Sequence, residues 1–215
     1  MKKKFVMKTP AGADFNVPTS ALFEAIRSEW ENQGDKINPS TMPLTQLAST
    51  AIDLAGKDRD KIIDLLVAYV GSELLCHHAE EPDALRDLQI KTWQPILDWA
   101  EQYFDDTIFQ TGTGIMPIQQ TDETFTAMRE AIQRYDAFYL TGLRQAVDVS
   151  GSLILGLALL EKHLTAQQVF EASELDATFQ MQKWGSDPAT EKRHETTLKE
   201  LLLCERWFNL LSQKQ

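Results

Sequence analysis

Apolar side chains recur at helical spacing along most of this chain, and this pattern limits the possible folds more than any other feature. Ile62, Leu66 and Val70, for example, repeat at the spacing of one buried helix face. Thr165 and Gln168 form the capping-box pattern that marks a helix start. The predicted helices cover residues 19–34, 43–56, 58–75, 82–104 (with a kink or restart at Pro95), 122–149, 152–164, 166–183 and 189–211.

Strand signals occur in only two places. The segments KFVMKT (4–9) and ADFNVP (13–18) flank a Pro10–Gly12 turn and are predicted as two short strands. A further strand and turn are predicted in TIFQTGTGIMPIQ (107–119), and we expect this strand to pair with the N-terminal ones. The predicted class is α+β and mainly helical. A small N-terminal strand-and-helix unit (1–60), joined by the strand near 107–119, precedes a larger orthogonal helical bundle (61–215).

The charge of the chain argues against nucleic-acid binding. Among 215 residues, 32 are acidic and 21 basic, which gives a formal net charge of -11. Nucleic-acid binding requires a cationic footprint, and the only basic run is Lys2–Lys4.

The longest apolar stretch, Leu153–Leu160, is too short to cross a membrane, so no membrane insertion is expected. The N-terminus lacks the apolar run of a signal peptide, which indicates a bacterial cytoplasmic protein, or a mitochondrial matrix protein in a eukaryote.

The chain contains two cysteines that are candidates for catalytic residues. Cys76 precedes His77 and His78, but adjacent residues of a helix point in different directions and do not form a nucleophile–base pair. Cys204 follows Leu201 on an apolar stripe. We therefore predict that both thiols lie in the core.

Other candidate chemistry is weak. Glu191 and His194 have the Glu-x-x-His spacing of di-iron bundles, but no second copy occurs, so a charged surface is favoured over a metal site. The segment Gly112–Gly114 lacks the third glycine of a dinucleotide fingerprint. No cofactor is predicted. Two alternatives stay open: an enzyme of unknown type with a metal or Cys/His site, and a permanent structural subunit of some complex.

A series of segments follows the order of one family's motifs. The segments are MKTPAG (7–12), VPTSALFEAIRSEWENQG (17–34), INPSTMPLTQLASTAID (37–53), SELLCHHAEEPDAL (72–85), WQPILDW (93–99), TGIMPIQ (113–119), GSLILGLAL (151–159) and LDATFQMQKWGSD (175–187). Together they resemble the ATP-twelve family, the alphaproteobacterial and mitochondrial chaperones of the ATP synthase alpha subunit. The chain departs from that family's usual residues at Ala177 and at His77–His78.

The resemblance implies a chaperone that catalyses no reaction. Such a protein, acting as a monomer, binds the unassembled alpha subunit of F-type ATP synthase and prevents its aggregation until the beta subunit replaces it. Loops carry binding residues more often than helix interiors do, so we expect client contacts at two irregular points. These points comprise Met42, Pro43, Leu44 and Thr45, and Trp184, Gly185 and Asp187. A structural role is weighed for each, because Pro43 suits a first helical turn and Trp184 can cover the core. Trp30 is expected in the core.

Overall fold

A computed structural model describes residues 7–54, 58–114, 116 and 118–213. The α-helices of that part are α1 (Ser20–Glu31), α2 (Pro43–Leu54), α3 (Arg59–Ala68), α4 (Asp83–Tyr103), α5 (Asp122–Gln133), α6 (Ala137–Ser150), α7 (Leu153–Leu160), α8 (Ala166–Ser173), α9 (Leu175–Trp184) and α10 (Pro188–Ser212). Short 3-10 helices cover Pro39–Thr41, Tyr69–Ser72 and Leu74–Cys76. Two strands, β1 (His77–His78) and β2 (Gly112–Thr113), form a parallel pair. The mainly helical class predicted from the sequence is confirmed.

Helix α7 is buried along its whole length and packs against α4, α6, α8 and α10. Close approach to its neighbours depends on small residues. A Cβ on Gly156 would lie 2.7 Å from Val147, and one on Gly142 of α6 would lie 2.5 Å from Trp207 of α10. Glycine at these two positions therefore allows α6, α7 and α10 to pack closely.

A buried carboxylate fixes the start of α7. Glu73, from the connection after α3, accepts hydrogen bonds from the backbone N–H groups of Leu153 at 2.9 Å and Ile154 at 3.3 Å. It also accepts one from the Ser152 hydroxyl and one from the Leu75 N–H. Burial raises the pKa of Glu73, and these hydrogen bonds oppose the increase. The carboxylate satisfies N–H groups that the first turn of α7 leaves free.

The N-terminal sheet differs from the prediction. Residues 7–15 form a tight turn with a single antiparallel bridge, Lys8 to Asp14, and no extended strand. The Thr9 hydroxyl donates to Asp53 at 2.6 Å, which ties this turn to α2. Among the described residues, segment 107–119 does not pair with the N-terminal turn as predicted, since β2 pairs with β1 and aligns Gly112 with His77. Residues 4–6 of the first predicted strand lie outside the described residues.

Several helix boundaries also differ. The predicted helix 122–149 is two helices, and the Asp136 carboxylate caps the second by accepting from the N–H of Phe138 at 2.9 Å. The predicted helix 166–183 divides at Glu174 into α8 and α9. Helix α3 ends at Ala68 rather than near residue 75, since 3-10 turns follow it. Helix α4 continues through Pro95 without a restart.

Residues on both sides of position 60 contribute to one core cluster. Helix α2 packs against α6 and α10, which follow that position in the chain. The division into units 1–60 and 61–215 stays a prediction. None of the helices in the described residues is both long and apolar enough to span a membrane.

Candidate interaction surfaces

The predicted corner Met42–Thr45 is held by a residue that the sequence analysis missed. The Glu29 carboxylate of α1 accepts hydrogen bonds from the backbone N–H groups of Leu44 and Thr45, each at 2.8 Å. The Thr45 hydroxyl donates to the same carboxylate at 2.7 Å. Glu29 thereby caps α2 and places a negative charge at the positive end of the helix dipole. Its partners lie 15 and 16 residues away, so no local capping pattern revealed it.

The corner exposes only part of its side chains. Met42 and Leu44 are 2% and 0% exposed, whereas Pro43 and Thr45 are half-buried. Client contact at these four residues stays a prediction.

An apolar groove of about 580 Å³ lies beside the corner. Trp30 and Ile37 line it, together with Met42. The expectation that Trp30 lies in the core is wrong, because its side chain is 36% exposed and Ile37 is 57% exposed. These two side chains present apolar surface that protein-binding sites commonly use.

The second predicted point lies at the turn between α9 and α10. Trp184 ends α9 and is 75% exposed, so its ring does not cover the core. The Lys183 ammonium lies 5.2 Å from the centroid of that ring. Gly185 leaves the helix with φ of +87°, a conformation that favours glycine. Asp187 caps α10, accepting from the Ala189 N–H at 2.9 Å, and a hydrogen bond from Thr190 lowers the pKa of Asp187.

The two predicted points are carried by helices with different neighbours. Helix α2 packs against α1, α6 and α10, whereas α9 packs against α4 and α8. Gln89 of α4 donates to Asp176 of α9 at 2.7 Å and fixes the start of α9. The groove beside the first point is lined by residues between positions 7 and 53, and the second point lies at 184–187.

Glu191 and His194 are not arranged as the metal-binding pair that their Glu-x-x-His spacing suggests. The Nε2 atom of His194 lies 3.1 Å from the carboxylate of Glu174, and Glu191 accepts a hydrogen bond from the Ser186 hydroxyl. Arg193 binds Glu174 with two hydrogen bonds of 2.9 and 2.7 Å. Among the described residues, no group of three or more His, Cys, Asp or Glu side chains could hold a metal ion.

The cysteine prediction is confirmed, since Cys76 and Cys204 are both buried. Burial raises the pKa of each thiol to about 12, so both are protonated at neutral pH. The ring of His77 is engaged elsewhere, because its Nδ1 lies 2.9 Å from the carbonyl oxygen of Glu73. His78 stacks on Trp93. The grouping Cys76–His78 is therefore not arranged as a nucleophile and base.

Together, the fold and these surfaces define a mainly helical protein that displays apolar side chains on loops and at helix ends. The model of the ATP12 chaperone protein family matches residues 3–101. The crystal structure of Atp12 from Paracoccus denitrificans superposes with a TM-score of 0.91 and 32% sequence identity, covering 95% of this chain and 88% of that one. The chain belongs to the ATP12 chaperone family, and the resemblance to the ATP-twelve family is confirmed.

Two further relatives agree with this assignment. The crystal structure of a protein from Agrobacterium tumefaciens superposes with a TM-score of 0.86 and 30% sequence identity. The match covers 95% of this chain and 75% of the Agrobacterium chain. The mitochondrial protein atp12 of Schizosaccharomyces pombe is 22% identical over 191 residues, or 84% of this chain. The match covers 66% of the S. pombe protein, just under two thirds of its length.

Proposed function

We propose that this chain is a chaperone for assembly of the catalytic head of F-type ATP synthase. It binds the unassembled alpha subunit, prevents its aggregation and is replaced by the beta subunit, without catalysing a reaction. The observation that carries the proposal is the match to Paracoccus denitrificans Atp12, with 32% identity over 95% of this chain.

The exposed apolar side chains support a holding role. An alpha subunit without its neighbours exposes interface surface that would otherwise aggregate. A protein that binds this surface specifically buries roughly 1,200–2,000 Å² of total surface, with a few aromatic or aliphatic anchors and a polar rim. Trp184 and the groove beside Met42 supply such anchors. Because Met42 and Leu44 are buried, contact at the corner would be made by Pro43, Thr45 and the groove.

The α9–α10 turn supplies the other proposed contact. Trp184 stands beside Gly185, whose backbone is open to solvent, and Asp187 follows at the start of α10. An exposed aromatic anchor of this kind is suited to an apolar patch on the client.

The site of action is the bacterial cytoplasm, or the mitochondrial matrix in a eukaryote. The chain works as a monomer with a protein client, and neither nucleic acid nor membrane insertion is part of the role. These statements belong to the same proposal and rest on the family, whose relatives include bacterial proteins and a mitochondrial one.

A pull-down with the purified alpha subunit, with and without the beta subunit, tests the proposal. We expect the chain to retain alpha, to lower its light scattering on warming, and to release it when beta is added. Failure of the wild-type chain to bind alpha would refute the chaperone role. Persistent binding in the presence of beta would refute the replacement step and favour a permanent structural subunit.

The contact residues are tested by Trp184→Ala, with Leu65→Ala as the control. Both side chains are exposed and apolar, but Leu65 lies on α3, away from either predicted point. Truncation of an aromatic anchor weakens binding by roughly tenfold or more, whereas the control should not change it. Equal affinity of the two variants would remove Trp184 from the site.

A further inference from the structure

A trough runs along α10 and has α2 and α6 as its walls. Its first part, about 880 Å³, lies between α2 and α10, and its second, about 630 Å³, lies between α6 and α10. Gln145, Thr196 and Glu200 line both parts, so the two are continuous. We call this feature the α10 trough.

The rim of the α10 trough carries three evenly spaced cations. Lys192, Lys199 and Arg206 are exposed and follow one another at seven-residue intervals on α10, so they lie along one side of that helix. Within the part of the chain that the structure describes, none of the three forms an ion pair. A row of unpaired cations contrasts with the net charge of -11 of the whole chain.

The acidic residues in and beside the α10 trough offset this row only in part. Asp148 is paired with Arg144 at 2.6 Å, within α6. The Glu200 carboxylate lines both parts and accepts a hydrogen bond from Gln145 at 3.5 Å, which leaves its charge in place. Glu195 lies between Lys192 and Lys199 on the same side of α10, so the three cations face these two carboxylates and remain in excess. The positive charge on the rim is therefore available to a negatively charged ligand.

The part of the trough beside α2 has a cluster of apolar side chains within a mixed lining. Leu202 of α10 is 48% exposed, and Leu203 and Leu47 are half-buried on facing helices. Apolar surface flanked by a row of cations is complementary to a segment that has one apolar and one acidic face.

We propose that the α10 trough binds an acidic amphipathic helix of the client. This inference rests on the proposed function, because the client is the alpha subunit. The cations span about 21 Å along α10, a length of roughly four helical turns. The walls are helices whose backbone groups are already hydrogen-bonded, so they offer no strand edge. A helix therefore fits where an added strand would not.

Charge reversal on the rim tests the proposal. The double variant Lys199→Glu/Arg206→Glu is compared with Lys91→Glu/Arg134→Glu, which makes the same change of charge at exposed positions on α4 and after α5. Binding of the purified alpha subunit should weaken by on the order of tenfold or more in the rim variant, because like charges would then face each other. Its dependence on salt should also fall, and the control should bind like the wild type.

The outcomes separate this inference from the proposed function. If the wild-type chain does not bind alpha, the proposed function fails. If the wild type binds alpha and the rim variant binds equally well, the function stands and the α10 trough is not the contact.

A carbodiimide cross-link of the wild-type complex gives evidence that does not depend on the folding of a variant. The reagent joins a lysine amine directly to a carboxylate, and Lys192 and Lys199 lie about 10.5 Å apart along α10. We expect both to link to Asp or Glu side chains of alpha that lie about two helical turns apart. Links from Lys91 without links from these two lysines would overturn the proposal.

Discussion

Replacement of Glu73 by alanine tests how far one buried carboxylate holds the core together. The carboxylate is 1% exposed and connects the segment after α3 to the first turn of α7, about 80 residues later in the chain. Alanine removes the acceptor and leaves the donors in place. We expect the core around α7 to lose much of its stability.

The magnitude follows from the donors that remain. The Leu153 N–H, at 2.9 Å, and the Ser152 hydroxyl lose a strong acceptor, and a buried donor without a partner costs about 1–3 kcal/mol. The Leu75 and Ile154 N–H groups, both at 3.3 Å, lose weaker bonds. The variant no longer desolvates a carboxylate, which offsets part of the loss. The expected net decrease in the free energy of unfolding is about 3 kcal/mol.

Urea denaturation followed by circular dichroism measures this decrease. For a chain of this length, about 3 kcal/mol corresponds to a fall of roughly 6–12 °C in the Tm. Glu195→Ala is the control, because Glu195 is exposed on α10 and its removal should leave the transition unchanged. A loss below about 1 kcal/mol for Glu73→Ala would refute the reasoning, since water or backbone shifts would then satisfy the donors.

Three further outcomes are expected. Burial raises the pKa of Glu73 above its value in the unfolded chain, so the stability linked to this group is complete below the unfolded pKa and falls as pH rises through the folded pKa. The difference in unfolding free energy between wild type and Glu73→Ala should narrow as the pH rises above the unfolded pKa of a glutamate, and a difference that widens would contradict this. Cys76 and Cys204 should resist Ellman's reagent in the native protein and react in denaturant, whereas rapid native labelling would show that a thiol is accessible. Gly142→Ala should lower the free energy of unfolding by about 1–3 kcal/mol, because the added Cβ would lie 2.5 and 2.7 Å from two aromatic rings of α10. An unchanged Tm of this variant would rule out such close packing.

Helix starts marked by local capping were predictable from sequence. The Thr19 side chain accepts from the Leu22 N–H at 3.1 Å, and Thr165 and Gln168 form the predicted capping box. In both cases the residues that make the cap lie within one turn of each other, so the sequence alone identifies them.

The break between α5 and α6 has one local mark, the Asp136 cap at the start of α6, but the end of α5 has none. The segment between the two helices contains no glycine or proline, and the end of α5 is held by a distant residue. Arg59 donates to the carbonyl oxygens of Gln133 at 2.6 Å and Tyr135 at 3.1 Å, more than 70 residues away. These carbonyls lie at the end of α5, where a helix leaves acceptors free. A contact of this range leaves no local pattern.

The pairing of β2 was missed for a related reason. Its partner β1 has two residues, too few to show an alternating pattern, and lies just after a helix predicted to end near residue 75. The burial of the corner before α2 was likewise hidden. Glu29 on α1 holds the backbone of that corner through the N–H groups of Leu44 and Thr45, a contact that spacing within residues 42–45 does not reveal.

The acidic character of the chain describes its surface only in part. Glu29 and Glu73 both serve as internal acceptors at the starts of helices, so some of the 32 acidic residues act as structural caps. Three cations of α10, in contrast, stand unpaired along one side within the described residues. Because charges interact over a Debye length of about 8 Å at physiological salt, a partner at the α10 trough responds to this local row more than to the net charge. Binding of an acidic helix is therefore compatible with the net negative charge of this chain. Raising the salt concentration should weaken that binding, because salt screens the attraction at the α10 trough.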